Sequence, residues 1–208
     1  MLVSQSRSKG DSDFACYNLK DPTQFNLTKV NSPTFTSLEG FTGDGSSAYL
    51  ESTYNPTNDG VNYTLENASL TVYMRSVTSP ASFFIAAYSV ASGEQGSILT
   101  TGSNIRTRMN VNTATPRTES TDQNGFIHGN RKTGGTQTLY LDGVSADSDT
   151  RFTDGLANGK VTLLSGTGGD FFNSDQISFA SVGGDLSTKA SEFYNAIQTY
   201  MTAIGKQV

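Results

Sequence analysis

From Phe25 onward the chain is cut into short runs of strand-forming residues by turn formers, and this punctuation limits its possible folds more than any other feature. FNLTKV, PTFTSL and FTGDGSSAYLEST follow one another, with Gly43-Asp44-Gly45 as a turn inside the third, and Asn55-Pro56-Thr57-Asn58-Asp59-Gly60 makes the next break. In the segment after that break, Leu70, Val72 and Met74 face one way and Thr71, Tyr73 and Arg75 the other, the period of two of a strand with distinct faces. SFFIAAYSV, residues 82–90, is apolar almost throughout, as expected of a strand near the middle of a sheet that is buried on both faces. SILTT, NIRTRMNV, GFIHGNR, TQTLYLDGV, GKVTLLSG and DQISFASVG supply further strands. In TQTLYLDGV the alternation of side chains runs into Asp142-Gly143, a dipeptide suited to a tight hairpin turn. About ten short strands at this spacing predict an all-β fold, an antiparallel two-sheet jelly-roll sandwich.

The end of the chain follows another period. Phe193, Ile197, Tyr200 and Ile204 recur at helical spacing, with Ser187 as a natural N-cap and Gly205-Lys206 as a C-terminal stop. These signals predict one amphipathic helix over 187–204, its apolar stripe packed on the sandwich and covering a sheet edge. Residues 1–24 are polar and weakly periodic, and read as an arm, a first strand or a linker left by excision from a longer protein. The sandwich is assigned to residues 25–208.

Composition removes several function classes. With 12 Phe and 9 Tyr the chain is too aromatic for a disordered protein, and 21 Gly against 5 Pro fits a turn-rich globular one. A net charge of -5 with scattered Lys and Arg argues against a nucleic-acid partner, Arg106/Arg108 and Arg131-Lys132 being local exceptions. One cysteine, Cys16, excludes an internal disulfide and, with one histidine, makes a Cys/His zinc site implausible, so Cys16 reads as a small buried filler. No stretch approaches the ~20 apolar residues of a membrane span, and MLVSQSRSKG lacks the apolar core of a signal peptide. Asn26, Asn62 and Asn67 begin Asn-x-Ser/Thr triplets, which matter only in a eukaryotic secretory pathway.

The ordered series FTGDGSSAYLESTYNP (41–56), LTVYMRS (70–76), GTQTLYLDGV (135–144) and DQISFASVGGDLS with its helix resembles the concanavalin A-like lectin/glucanase superfamily in its laminin G-like form. It is most similar to copies of that domain carried by phage tail and other virion proteins. The resemblance runs from about Asp21 to the end of the chain and implies a jelly roll of two curved sheets. It also implies a location at a virion surface or outside the cell. Function does not follow from the fold, because the superfamily holds lectins, adhesive modules, glycosidases and structural spacers.

The residues weigh these alternatives. A glycosidase of the superfamily needs paired acids at fixed separation on one strand. Glu39, Glu51, Glu66, Glu94, Glu119 and Glu192 are isolated instead, and His128 has no nucleophile elbow near it, so no catalytic residue is assigned. Laminin G-like domains often hold calcium at the rim, and Asp44, Asp59, Asp142, Asp147 and Asp149 lie in predicted loops. Asp and Gly are also the ordinary residues of tight turns, so neither a metal nor any other cofactor is assigned. Sugar sites combine an aromatic face with planar polar groups. Alternation places Arg106, Arg108 and Asn110 on one face of NIRTRMNV, and Phe126, His128 and Asn130 on one face of GFIHGNR. If the two strands are neighbours, Arg106, Arg108, His128 and Asn130 form a polar concave surface fit for a glycan. The same alternation describes the solvated outer face of an antiparallel sheet, with no ligand.

The leading expectation is therefore a non-catalytic virion surface module that binds a host-surface receptor, a glycan above all. The alternative is a structural decoration or assembly module that contacts other virion proteins, and an enzyme is distant. Many fibre modules of this resemblance class are trimeric, which makes a homotrimer one expectation.

Overall fold

The computed structural model describes residues 2–4, 10–78, 81–89, 93–111 and 124–208. Met1, residues 5–9 of the N-terminal stretch and Val90 of the 82–90 run lie outside the described residues. The strands are β1 (Leu2–Ser4), β2 (Leu27–Val30), β3 (Thr34–Thr36), β4 (Gly40–Thr42), β5 (Tyr49–Ser52), β6 (Ala68–Ser76) and β7 (Phe83–Tyr88). They continue with β8 (Gln95–Thr101), β9 (Asn104–Val111), β10 (Gly125–Lys132), β11 (Thr136–Leu141), β12 (Val144–Thr150), β13 (Thr162–Leu163) and β14 (Gln176–Gly183). A one-turn helix α1 (Pro56–Asp59) fills the Asn55–Gly60 break, and α2 (Ala190–Ala203) lies near the end.

The strands form two antiparallel sheets packed face to face. One runs β12-β11-β10-β6-β14-β4-β3, with β1 also paired to β14; the other runs β2-β5-β13-β7-β8-β9. Period-two side chains decide what lies between them. Leu70, Val72, Met74, Ile127 and Leu139 from the larger sheet meet Leu50, Phe84, Ile98, Ile105 and Met109 from the smaller, all essentially without solvent exposure. The sheets touch closely where β10 crosses β9: a Cβ on Gly129 would lie 2.2 Å from the Thr107 hydroxyl oxygen, so only glycine fits there. Ala15 and Cys16, in a short 3-10 turn over Phe14–Cys16, also belong to this core. Burial pushes the Cys16 thiol up to about 11, which leaves it a neutral filler at physiological pH.

The hairpin predicted at Asp142-Gly143 joins β11 to β12, with φ of 48° and 77° at its two central residues and Leu141 opposite Val144. Positive φ at both positions is the primed turn whose twist suits paired strands. Asp147 and Asp149 sit on β12, at one end of the larger sheet, where charge discourages pairing with another strand.

Helix α2 covers a sheet face, not an edge as the sequence suggested. Ile197 and Met201, flanked by Phe193, Tyr194, Tyr200 and Ile204, pack on Tyr73, Phe126 and Phe179. Those three residues belong to β6, β10 and β14, near the centre of the larger sheet, so the apolar patch on its outer side is what draws the helix there. The helix begins at Ala190, after a turn over 187–189, and Ser187 is not its cap. Its C-terminus is a Schellman closure: Lys206 N–H donates to Met201 C=O, Gly205 N–H to Thr202 C=O, and Gly205 takes a φ of 68°.

Candidate functional site

The four residues proposed for a glycan surface do not share one. β9 is the edge strand of the six-stranded sheet, whereas β10 lies in the other sheet between β11 and β6, so the assumed adjacency fails. Alternation reports which face a residue takes within its strand and says nothing of which strand lies alongside.

His128 and Asn130 are on the outer side of the larger sheet but fully buried. The His128 ring packs among Phe126, Tyr140 and Phe193, and its Nδ1 lies 2.7 Å from the Thr71 hydroxyl. Burial lowers its pKa to about 4, so the ring is neutral near pH 7. Asn130 Nδ2 donates to Asp185 Oδ1 at 2.8 Å, and its Oδ1 accepts from Leu186 N–H at 2.8 Å. Asp185 Oδ1 also accepts from Ser187 N–H at 2.7 Å, so Asn130 and Asp185 together hold the turn that leads into α2. Both sheet residues serve the seat of the helix and present nothing to a ligand.

Arg106 and Arg108 have a different setting. Ile105, Thr107 and Met109 point into the core, which turns both arginines onto the outer face of the six-stranded sheet, each half-buried. The register sets Arg106 beside Leu99, and Leu99 beside Phe83. Arg108 lies beside Ser97, and Ser97 beside Ala86. Phe83, Ala86 and Leu99 form a small apolar cluster. Phe83 stacks on Tyr88 with ring centroids 6.3 Å apart and meets Phe171 edge-on at 5.8 Å. A hollow of about 240 Å³ opens here, with Phe83, Leu99, Phe171, Gln95 and Arg108 in its walls.

Asp170, next to Phe171, accepts a hydrogen bond from the Tyr88 hydroxyl, so the aromatic edge carries an anion alongside the two arginines. Arg108 Nη1 donates to the neutral Gln95 Oε1 at 2.9 Å, and neither Arg106 nor Arg108 has a carboxylate within salt-bridge distance among the described residues. Burial, and Arg106 alongside, hold the Arg108 pKa below its usual value, as expected of two cations without a shared anion. Phe171, 64% exposed with a φ of 45°, completes the aromatic edge. Sequence reasoning missed the aromatic members. Phe83 is hidden within a continuously apolar run, and Phe171 comes from a Gly/Asp-rich loop that returns across the face only in the folded chain.

The loop aspartates considered for calcium are dispersed in structural roles. Asp44 Oδ1 accepts from the N–H groups of Ser46, Ser47 and Ala48, which hold its carboxyl well below the usual range. Asp142 Oδ1 accepts from Phe126 N–H, Asp59 Oδ2 from Asn55 N–H, and Asp149 pairs with Arg151. Among the described residues no three His, Cys, Asp or Glu side chains converge as a metal site would require. No described helix is long and apolar enough to cross a membrane.

No protein-family model and no curated protein matches the sequence. Solved structures do match in shape. One concerns botulinum neurotoxin type C, whose cell entry depends on interaction with two ganglioside molecules; it superposes with a TM-score of 0.67 at 16% identity, over 95% of this chain and 51% of that one. The binding domain of botulinum neurotoxin DC in complex with rat synaptotagmin II gives the same values. The botulinum neurotoxin type G receptor-binding domain gives a TM-score of 0.62 at 11% identity, over 95% of this chain and 51% of that one. The chain spans about half the length of each of these structures. Likeness at such identity concerns the fold alone, and that fold is a lectin-like β-sandwich.

Proposed function

We propose that the chain is a non-catalytic receptor-binding module that takes an acidic glycan of a host surface on the outer face of its six-stranded sheet. The observation that carries this reading is the pair Arg106 and Arg108, two half-buried guanidiniums without a carboxylate partner among the described residues, set beside the aromatic edge of Phe83 and Phe171. Guanidinium forks match carboxylate and sulfate groups, and an aromatic edge suits the C–H side of a pyranose. Two of the structural neighbours described above are a toxin binding domain and a toxin receptor-binding domain, which is in keeping with binding without catalysis.

A virion surface is the setting in which we place the module, supported by the resemblance of its GDGSSAYL, LYLDG and ISFASVG segments to virion-borne domains. There it would contact other virion proteins, and a homotrimer would multiply a weak site.

The test is binding of purified protein to arrayed glycans and whole host cells, with mass in solution measured in parallel. Saturable binding to sialylated or sulfated glycans is expected, reduced about tenfold or more in Arg106→Ala/Arg108→Ala at unchanged thermal stability. Equal binding by the double variant removes these arginines from the site. Absence of glycan binding by a folded trimer favours the structural virion module.

A further inference from the structure

A second concavity lies away from the arginine face, at an end of the sandwich. Residues 18–25, the 54–63 segment and the end of β14 with Gly184 enclose an open groove of about 490 Å³. It continues past Val61, Asn62 and Gly184 into a second hollow of about 370 Å³ walled by Thr64, Asn67 and Asp185. Together they make a trough within the size range of small-ligand sites.

The walls are built for a polar ring. Phe25 meets Tyr54 edge-on at 5.1 Å and 89°, and Phe25 holds a φ of 55°, a conformation that bulky residues seldom adopt. Burial pushes the Tyr54 hydroxyl up to about 12, so it stays neutral, and it makes no hydrogen bond with a described residue. The carboxylates in the trough are held in place from behind. Asp21 accepts from Thr23 and from Gln24 Nε2, and Asp59 Oδ2 accepts from Asn55 N–H at 2.8 Å. Asn62 is exposed and contributes a planar amide. The floor is the side-chain-free pair Gly183-Gly184, and a Cβ on Gly184 would lie 2.8 Å from the Asn62 carbonyl oxygen.

Charge selects the ligand class. Lys20 stands against Asp21 and Asp59, and Asp185 adds a further negative charge in the second hollow. A net negative trough disfavours sialylated or sulfated sugars, while fixed carboxylates and an amide accept hydrogen bonds from vicinal hydroxyls. We infer that this trough is a second carbohydrate site, which takes an uncharged oligosaccharide of two or more hexose units, with Phe25 against the sugar ring and the Tyr54 hydroxyl, Asp21, Asp59 and Asn62 on its hydroxyls. It shares no residue with the arginine face, so either site stands without the other.

The experiment is amide nitrogen–proton correlation mapping of the intact chain titrated with millimolar maltotriose, cellotriose, chitotriose and mannotriose, with 3′-sialyllactose as the acidic comparator. At least one neutral trisaccharide is expected to move the amides of Gln24, Val61, Asn62, Gly183 and Gly184 in a saturable way. The same sugar should bind about tenfold more weakly to Asn62→Ala and Tyr54→Phe, which keep the fold and its native spectrum elsewhere. Absence of such shifts with all four neutral sugars overturns the inference, as does equal binding by both variants. Shifts on Leu99, Arg106 and Arg108 with the acidic sugar report the other site independently, so failure of one reading is told apart from failure of the other.

Discussion

Arg131 is the largest side chain buried completely in the described structure, and replacing it with methionine tests how the sandwich closes at that point. Alternation on β10 turns Arg131 inward with Ile127 and Gly129. Its Nη1 donates to Met109 C=O at 3.3 Å and its Nη2 to Arg151 C=O at 2.5 Å, so one guanidinium ties the edge strand of the opposite sheet to the segment after β12. Nη2 also lies 3.3 Å from Glu66 Oε1. Two effects oppose each other in Arg131→Met. The cost of keeping a charge out of water disappears, but two carbonyls lose their donor, at about 1–3 kcal/mol each where water cannot reach them. The Glu66 side chain is 39% exposed and rehydrates easily, so the ion pair itself contributes little. Methionine retains most of the apolar stem, and the carbonyls decide the sign: a loss of about 2–4 kcal/mol, or a fall in Tm of about 5–15 °C for a chain of this size. Urea and thermal denaturation followed by circular dichroism measure it, with Glu66→Gln as the partner variant, expected to cost less than about 1 kcal/mol. Unchanged stability in Arg131→Met refutes the clamp, and an equal loss in Glu66→Gln assigns the effect to the ion pair instead.

Two further predictions concern the helix seat. His128 has a folded pKa of about 4 against 6.5 unperturbed, so its contribution to stability is complete above about pH 6.5 and is lost as pH falls toward 4, by about 3 kcal/mol in all. Urea midpoints between about pH 7 and pH 4 should show this slope in the native chain and a flatter one in His128→Gln; identical slopes would assign the acid sensitivity to other groups. Ile197→Asp places an unpaired charge against Tyr73, Phe126 and Phe179 and should lower stability by several kcal/mol, whereas full retention would mean that the helix is not packed on the sheet.

Local features were legible in the sequence, and relations between distant segments were not. The period of two on β6, the Asp142-Gly143 hairpin and the helical stripe of α2 each depend on residues a few positions apart, where backbone geometry alone carries the signal. The candidate site required knowing which strands are neighbours. Between Val111 of β9 and Gly125 of β10 the chain passes from one sheet to the other, and no periodicity within either strand encodes that step. Burial of His128 and Asn130 was hidden for a related reason: a polar residue on an outward face reads as solvated until a remote helix is known to lie over it. Nothing local to Arg131 announced its three acceptors, which come from Glu66, Met109 and Arg151.

The placement of α2 gives the sandwich a back and a front. The larger sheet wears its helix like padding and offers little bare strand surface near its centre, whereas the smaller sheet keeps two half-buried arginines and the exposed Phe171 on its outer side. Copies gathered around a common axis with their padded sides inward would all look outward with the same chemistry. Crowding them would then multiply contact with a sugar-coated surface without any copy shading its neighbour, so the spacing of the assembly, more than the strength of a single site, would set how firmly it holds.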